Sequence, residues 1–266
     1  MTMHVRDEPC PPELAVSPEE RRRLLLARLR GDGRLVAAAL ARELGTSEDT
    51  IRRDLRELAA AGLVQRVHGG ALPPSPALEP FAVRRGRAAE AKEALAAAAA
   101  RMLRPGQVVL LDGGTTNLAL ARLLPPGLRV TVVTPSPPVA VALADHPCAE
   151  VVLLGGRLDK AAQAVTGAAA VEAVRAVRAD LCFLGVCSVA VEVGVSVAGH
   201  EEAEVKRAMA RASGEVVALV TADKLGTAAP FVVGPVEILA RLVTERAAAE
   251  STVAGLVARG VQVTRA

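Results

Sequence analysis

The sequence contains no tryptophan and no tyrosine, and its aromatic side chains are three phenylalanines, Phe81, Phe183 and Phe231. That scarcity removes the aromatic platform on which single-stranded nucleic acid is usually stacked. Cysteine is almost as rare: Cys10, Cys148, Cys182 and Cys187 form no C-x-x-C pair and have no histidine at zinc spacing. A disulfide framework and a structural metal are therefore not expected, and a reduced cytosol is. Long apolar runs are missing too. The stretch 94–100 is too short to cross a bilayer, and the N-terminus carries acid and proline where a signal peptide has an apolar core. The expectation is a cytoplasmic chain with no membrane partner, no metal and no cofactor. A net charge of +3 singles out no partner, because charge matters only where it is concentrated.

What is present is organised in two unequal parts, as 266 residues allow. Residues 1–16, with Pro9, Pro11 and Pro12, have no period and are expected to be a mobile tail. Ser17-Pro18-Glu19-Glu20 reads as a capped helix start, with the helix running to about Leu29 before Gly31 and Gly33. A second helix is expected over 36–44, closed by Gly45, and a third begins at Thr46-Ser47. In that third helix Ile51, Leu55 and Leu58 share one face, while Asp49, Arg52, Arg53 and Arg56 stand on the other. Gly62 ends it, and 63–67 alternates as a strand before the turn His68-Gly69-Gly70. Helix, helix, turn, helix and hairpin over 17–72 is the order of a winged helix-turn-helix. The proline-rich stretch 73–87 reads as an interdomain linker.

From residue 88 to 266 the texture changes. A long Ala-rich helix, about 88–103, precedes apolar strand runs at 108–112, 130–134, 151–154, 181–186, 216–221 and 239–244, separated by helical stretches. This predicts an α/β domain whose mostly parallel sheet is covered by helices. After the first strand, Asp112-Gly113-Gly114-Thr115-Thr116 forms a strand–loop–helix in which glycines free backbone amides to cup an anion at a helix N-terminus. A phosphate suits that loop, the threonines add hydroxyls, and Asp112 is placed to accept from a sugar hydroxyl. Thr134-Pro135-Ser136 and Gly155-Gly156 end further strands on the same carboxyl edge, where ligands of such sheets bind. His146 and His200 stand alone and read as surface or loop residues.

Thr50-Ile51-Arg52-Arg53-Asp54-Leu55, followed by Val67-His68-Gly69-Gly70-Ala71 and preceded by Gly33 and Ala41-Arg42-Glu43-Leu44, resembles the signature of the DeoR family of bacterial repressors. The resemblance implies that residues 47–53 meet the major groove of double-stranded operator DNA while the hairpin follows the phosphates. The DNA-binding set is then Ser47, Thr50, Arg52, Arg53, Arg56, Arg66, His68 and Gly69. Composition agrees: positions 21–68 hold eleven arginines against six acids and no lysine, and the arginine fork suits both guanine edges and phosphate. Asp54 reads as a structural partner for a neighbouring arginine.

The same resemblance extends over the second part, through Glu201-Glu202-Ala203-Glu204-Val205-Lys206-Arg207-Ala208-Met209 and Ala222-Asp223-Lys224-Leu225-Gly226. It implies a sheet similar to ribose-5-phosphate isomerase and coenzyme A transferases, a phosphorylated small-molecule effector, and a homo-oligomer. The effector-binding set is Asp112, Gly113, Gly114, Thr115, Thr116, Thr134, Ser136, Gly155, Gly156 and Lys224. Three positions depart from the family pattern: Pro135 stands where asparagine is common, Asp223 and Lys224 are adjacent, and Thr244-Glu245 replaces threonine-aspartate. The expected function is a repressor of a carbohydrate-metabolism operon controlled by a phosphorylated sugar or related metabolite, with no catalytic residues. The rival is a sugar-phosphate isomerase-like enzyme with an appended DNA-binding module, built on Asp112, Glu201, Glu204 and Lys224.

Overall fold

A computed structural model describes residues 17–266, so the expected tail at 1–16, with Cys10, lies outside the described residues. The chain forms two compact units that meet in sequence between Ala71 and Leu72.

In the first unit, the Ser17 hydroxyl accepts from the Glu20 amide and opens α1 (Pro18–Asp32). The helix runs through Gly31 and stops at Gly33, whose φ of +70° turns its N–H onto the Leu29 carbonyl. Residues 35–36 are drawn into strand pairing as β1 (Leu35–Val36), which shortens the next helix, α2, to Ala37–Glu43. Ser47 caps α3 (Glu48–Ala60) by accepting from the Thr50 amide. The wing follows as β2 (Gln65–Val67) and β3 (Gly70–Leu72), in the sheet order β1-β3-β2. A Cβ at Gly70 would overlap the Leu35 carbonyl, so this pairing requires glycine there. Ile51, Leu55 and Leu58 are buried with Leu25, Leu29, Leu35 and Leu40. Two ion pairs bind α1 to α3: Arg21 grips Asp54 through Nε–Oδ2 at 2.5 Å and Nη2–Oδ1 at 3.2 Å, and Arg22 meets Glu57.

The second unit begins with the stretch expected to be a linker, which is folded onto the unit instead. Prolines lack an N–H but keep a carbonyl, and the Pro73 carbonyl accepts from the Ala228 amide at 3.0 Å. Ser75 N–H donates to the Ala228 carbonyl, its hydroxyl donates to the Cys187 carbonyl at 2.6 Å, and the Phe81 amide opening α4 (Phe81–Arg85) donates to Ala161. Then come α5 (Ala89–Ala100), β4 (Val108–Leu111), α6 (Thr115–Arg122), β5 (Thr131–Thr134), α7 (Pro137–Leu143) and β6 (Glu150–Leu153). A hairpin of β7 (Arg157–Asp159) and β8 (Ala164–Thr166) leads to α8 (Ala168–Arg175) and β9 (Ala179–Leu184). The remaining elements are β10 (Ser188–Ala190), β11 (Gly194–Val197), α9 (His200–Arg211), β12 (Ser213–Val220), β13 (Phe231–Gly234), β14 (Arg241–Thr244), α10 (Glu250–Ala258) and β15 (Gln262–Arg265).

Seven strands make one parallel sheet in the order β15-β14-β12-β9-β4-β5-β6. Both faces are apolar, as alternation along one strand shows: Val216, Ala218 and Val220 join one core and Val217 and Leu219 the other. The edge strand β15, polar at Gln262, Thr264 and Arg265, lacks the apolar run that marks the other six. Chain order runs outward from β4 through β5 to β6, then returns to the other side of β4 at β9. That reversal places a topological switch point between β4 and β9.

Asp54→Ala leaves the Arg21 guanidinium without the carboxylate it grips, in a pair whose side chains are 12% and 3% exposed. Loss of one partner of so buried a pair costs about 3 kcal/mol. Urea unfolding of the first unit is expected to shift accordingly, and a loss under about 1 kcal/mol would reduce the pair to an exposed one.

Candidate functional site

The recognition face of α3 is set by its caps and its buried stripe. With Ile51, Asp54, Leu55 and Leu58 turned inward, Arg52, Arg53 and Arg56 face solvent. They are not equivalent. Arg52 is held by Glu48 at 2.6 Å and Asp49 at 3.5 Å, and Arg56 Nε donates to the Arg52 carbonyl. Arg53 forms no ion pair among the described residues. Ser47 and Thr50 are engaged with each other, their hydroxyls 2.9 Å apart at the helix N-terminus. Arg52, Arg66, His68 and Gly69 line one depression with Gly70 and Ala37, so the structure brings four of the eight expected DNA contacts together there. Gly69 has a φ of +74°, and its carbonyl accepts from the Ala37 amide.

In the second unit a cleft opens at the switch point, where β4 and β9 deliver Gly113-Gly114 and Gly185-Val186-Cys187 side by side. The two loops touch so closely that a Cβ at Gly185 would overlap the Gly113 carbonyl. Asp112 fastens them: Oδ1 accepts from Gly113 N–H at 2.7 Å, and Oδ2 accepts from Gly185 N–H at 2.8 Å and from Lys206 Nζ. Asn117 adds donors to the carbonyls of Gly113 and Phe183. Gly114 sits at φ +113°, a conformation that glycine tolerates, and aims the loop into α6. The cleft is lined by Gly113, Gly114, Thr115 and Thr116 at the N-terminus of α6, by Arg84 from α4, by Glu202 and Lys206 from α9, and by Lys224.

Four features decide what this cleft accepts. Thr116 is 5% exposed and its hydroxyl has no hydrogen-bond partner among the described residues. Lys224 is buried, donates to the Val186 carbonyl at 3.3 Å, and forms no ion pair among the described residues. Burial pushes its pKa down to about 8, with nearby Arg84 and Lys92 adding to the fall against the opposing pull of Cys187 and Asp223. Lys92 is lowered as well, first by burial and then by Arg84; its ammonium is spent on the carbonyls of Arg84 and Arg87. Lys206 behaves oppositely: burial opposes its charge, but Asp112 and Glu202 outweigh that and raise its pKa. An uncompensated pair of cations, Arg84 and Lys224, thus stands by a helix N-terminus with an unpartnered hydroxyl. This arrangement favours an anion with several acceptor oxygens.

Five of the ten residues expected to bind effector line this cleft: Gly113, Gly114, Thr115, Thr116 and Lys224. The adjacency of Asp223 and Lys224 does not keep Lys224 from the cleft. Asp112 is buried beneath the loop with its oxygens already occupied by protein donors. Thr134 and Ser136 are fully buried; the Thr134 hydroxyl accepts from the Ser136 amide, and the Ser136 hydroxyl donates to the Gln163 carbonyl. Gly155 and Gly156 are exposed beyond β6, on the far side of β5. Sequence reasoning missed Arg84, Gly185, Glu202 and Lys206. The i, i+4 spacing of Glu202 and Lys206 on an amphipathic helix was the available signal. Of the rival reading's carboxylates, Glu201 pairs with Arg157 and Glu204 with Arg207. His146 accepts from the amides of Cys148 and Ala149, and His200 packs edge-on against Phe231. No helix among the described residues is long and apolar enough to cross a membrane.

Comparison with known proteins matches residues 21–77 to the DeoR-like helix-turn-helix domain and residues 87–246 to the DeoR C terminal sensor domain. The HTH-type transcriptional regulator GlpR of Haloferax volcanii is 37% identical over 212 residues, covering 79% of this chain and 82% of the relative. The glycerol-3-phosphate regulon repressor of Escherichia coli is 30% identical over 207 residues, covering 77% and 82%. Among solved structures, ribose 5-phosphate isomerase A of Methanocaldococcus jannaschii overlaps 50% of this chain and 53% of its own, with a TM-score of 0.37 and 18% identity.

The buried Lys224 ammonium carries a testable cost. Folded, Lys224 loses its proton near pH 8, whereas an unfolded lysine holds it to its ordinary value of 10.5. The unfolded chain therefore binds more protons in that window, and wild-type stability rises with pH across it. Lys224→Met is expected to be more stable than wild type at pH 7, with the gap in melting midpoint closing between pH 8 and 10.5. A gap that stays constant over that range contradicts the burial of the charge.

Proposed function

The chain belongs to the DeoR family of transcription regulators, and from that premise we propose that it represses a carbohydrate-metabolism operon under the control of a phosphorylated sugar or related metabolite. Its family consists of DNA-binding regulators, and it is a regulator rather than an isomerase-like enzyme. In the proposed cycle the first unit holds double-stranded operator DNA in the cytoplasm, with α3 in the major groove and the wing along the phosphates. Arg53 reads a base edge, because its fork is exposed and unengaged. Arg52, Arg66, His68 and Gly69 contact phosphate at the depression they share. Ser47 and Thr50 hold the α3 N-terminus near the backbone, and Arg56 adds charge to the same face. A homo-oligomer presents two such faces to paired half-sites.

The observation that carries the sensor reading is the cleft itself: the Gly113–Thr116 loop, the orphaned Thr116 hydroxyl and the unpaired Lys224 converge at the switch point. The phosphate of the effector sits among the amides of that loop, with Lys224 and Arg84 supplying charge. The name of the Escherichia coli relative, a glycerol-3-phosphate regulon repressor, supports a phosphorylated ligand. Binding controls repression only if the ligand prefers one of two protein arrangements, which makes operator affinity and effector affinity reciprocally linked.

Gel retardation of upstream DNA with and without sugar phosphates tests the whole reading, and no specific complex at moderate salt would sink it. Arg53→Ala is expected to weaken the specific complex by about tenfold to a hundredfold, the worth of one bidentate base contact. Unchanged affinity removes that role. Phosphate binding requires the protonated Lys224, so affinity is expected to fall as pH rises past about 8. Calorimetry in Lys224→Met should show weaker binding without that pH dependence.

A further inference from the structure

The cleft has a second polarity that a simple phosphate site does not need. Glu202 stands one turn before Lys206 on α9, lines the cleft, and has a side chain only 13% exposed. Among the described residues its carboxylate forms one ion pair, Oε1 to Lys206 Nζ at 3.4 Å. Lys206 is bonded more tightly to Asp112, so two carboxylates share one ammonium and the α9 side keeps a net negative charge. A carboxylate only accepts hydrogen bonds, and a buried one with spare acceptor sites loses free energy until a donor arrives. The same cleft is also lined by Lys224 and Arg84, which form no ion pair among the described residues. Cys187, also buried in the lining, has its thiol pushed up first by burial and then by Glu202, while Lys206, Lys224 and Arg84 pull the other way.

We infer that Glu202 is a specificity residue of the cleft: it accepts a hydrogen bond from a hydroxyl of the phosphorylated effector and repels effectors that place a second anionic group there. The inference rests on reading the Gly113–Thr116 loop with Lys224 and Arg84 as the phosphate site. The ligand class it assigns is a monophosphate ester bearing a free hydroxyl, as opposed to a phosphorylated carboxylic acid or a bisphosphate. A hydrogen bond to a charged group in a dry site supports discrimination of about tenfold or more.

Calorimetric titration of the full chain at pH 7 tests this with matched probes: glycerol 3-phosphate against 3-phosphoglycerate, glucose 6-phosphate against 6-phosphogluconate, and inorganic phosphate alone. Wild type is expected to favour the hydroxyl member of a bound pair by about tenfold or more, and Glu202→Gln to narrow that preference to within about threefold while still taking phosphate. Glu202→Asp keeps the charge and shortens the reach, so it should weaken the hydroxyl member while still rejecting the acid. Glu201→Gln, a change of the same charge at an exposed position paired with Arg157, should retain the wild-type preference. A preference that Glu202→Gln leaves intact, one that Glu201→Gln abolishes equally, or binding of phosphate without any hydroxylated ester overturns the inference. Failure of every probe, inorganic phosphate included, overturns instead the reading of the cleft as a phosphate site.

Discussion

The second unit depends on one buried contact, the Asp112 carboxylate joined to Lys206 and to the amides of Gly113 and Gly185. It fastens the end of β4, the loop after β9 and helix α9 at the point where the sheet reverses its order. A buried ion pair of this kind adds little net stability, because desolvation consumes most of the attraction. Its effect is geometric. It brings the two loops into a contact that tolerates no side chain at Gly185, and it cancels the charge of Lys206. The positive character of the cleft is thereby left to Lys224 and Arg84, which have no such partner.

How much of this was legible in the sequence follows from the range of each interaction. The caps of α1 and α3 and the buried stripe Ile51-Leu55-Leu58 depend on residues a few positions apart, and they read directly. Runs of Val and Leu revealed six of the seven strands of the large sheet: five because a strand buried on both faces is apolar throughout, and the edge strand β6 because it keeps an apolar run although Val152 and Leu153 are exposed. β15 escaped, being an edge strand with polar residues. The Gly113–Thr116 loop was legible as strand, glycine and helix in sequence. Asp112 read as free because its ammonium partner lies 94 residues away. Thr134, Ser136, Gly155 and Gly156 stand at or just past the ends of β5 and β6; Ser136 adjoins Gly113 but spends its hydroxyl on the Gln163 carbonyl, and Gly155 and Gly156 lie past the edge strand, a strand order that no local pattern encodes.

On α3, adjacent arginines with the same exposure have different electrostatic standing. Arg52 spends its charge on Glu48 and Asp49, acids that also favour the helix N-terminus, whereas Arg53 pairs with no acid among the described residues. Exposed i, i+4 pairs contribute about 0–1 kcal/mol, so an approaching phosphate displaces Glu48 from Arg52 at little cost. In the proposed operator complex the acids of the first turn therefore hold Arg52 without withholding it from DNA, while Arg53 needs no exchange.

The segment 73–87 joins these two halves of the chain, and its folding changes what a ligand in the cleft touches. A free linker offers the cleft nothing. Pinned by Ser75 to Cys187 and by Phe81 to Ala161, the segment instead places α4 so that Arg84 lines the cleft together with Glu202. Lys92, from the next helix, holds the Arg84 and Arg87 carbonyls and stiffens that corner. A ligand shifts an equilibrium only through groups whose contacts differ between two states. Arg84 is the cleft-lining residue that the connecting segment itself contributes, so the fold of that segment and the charge of the cleft are tied through one side chain.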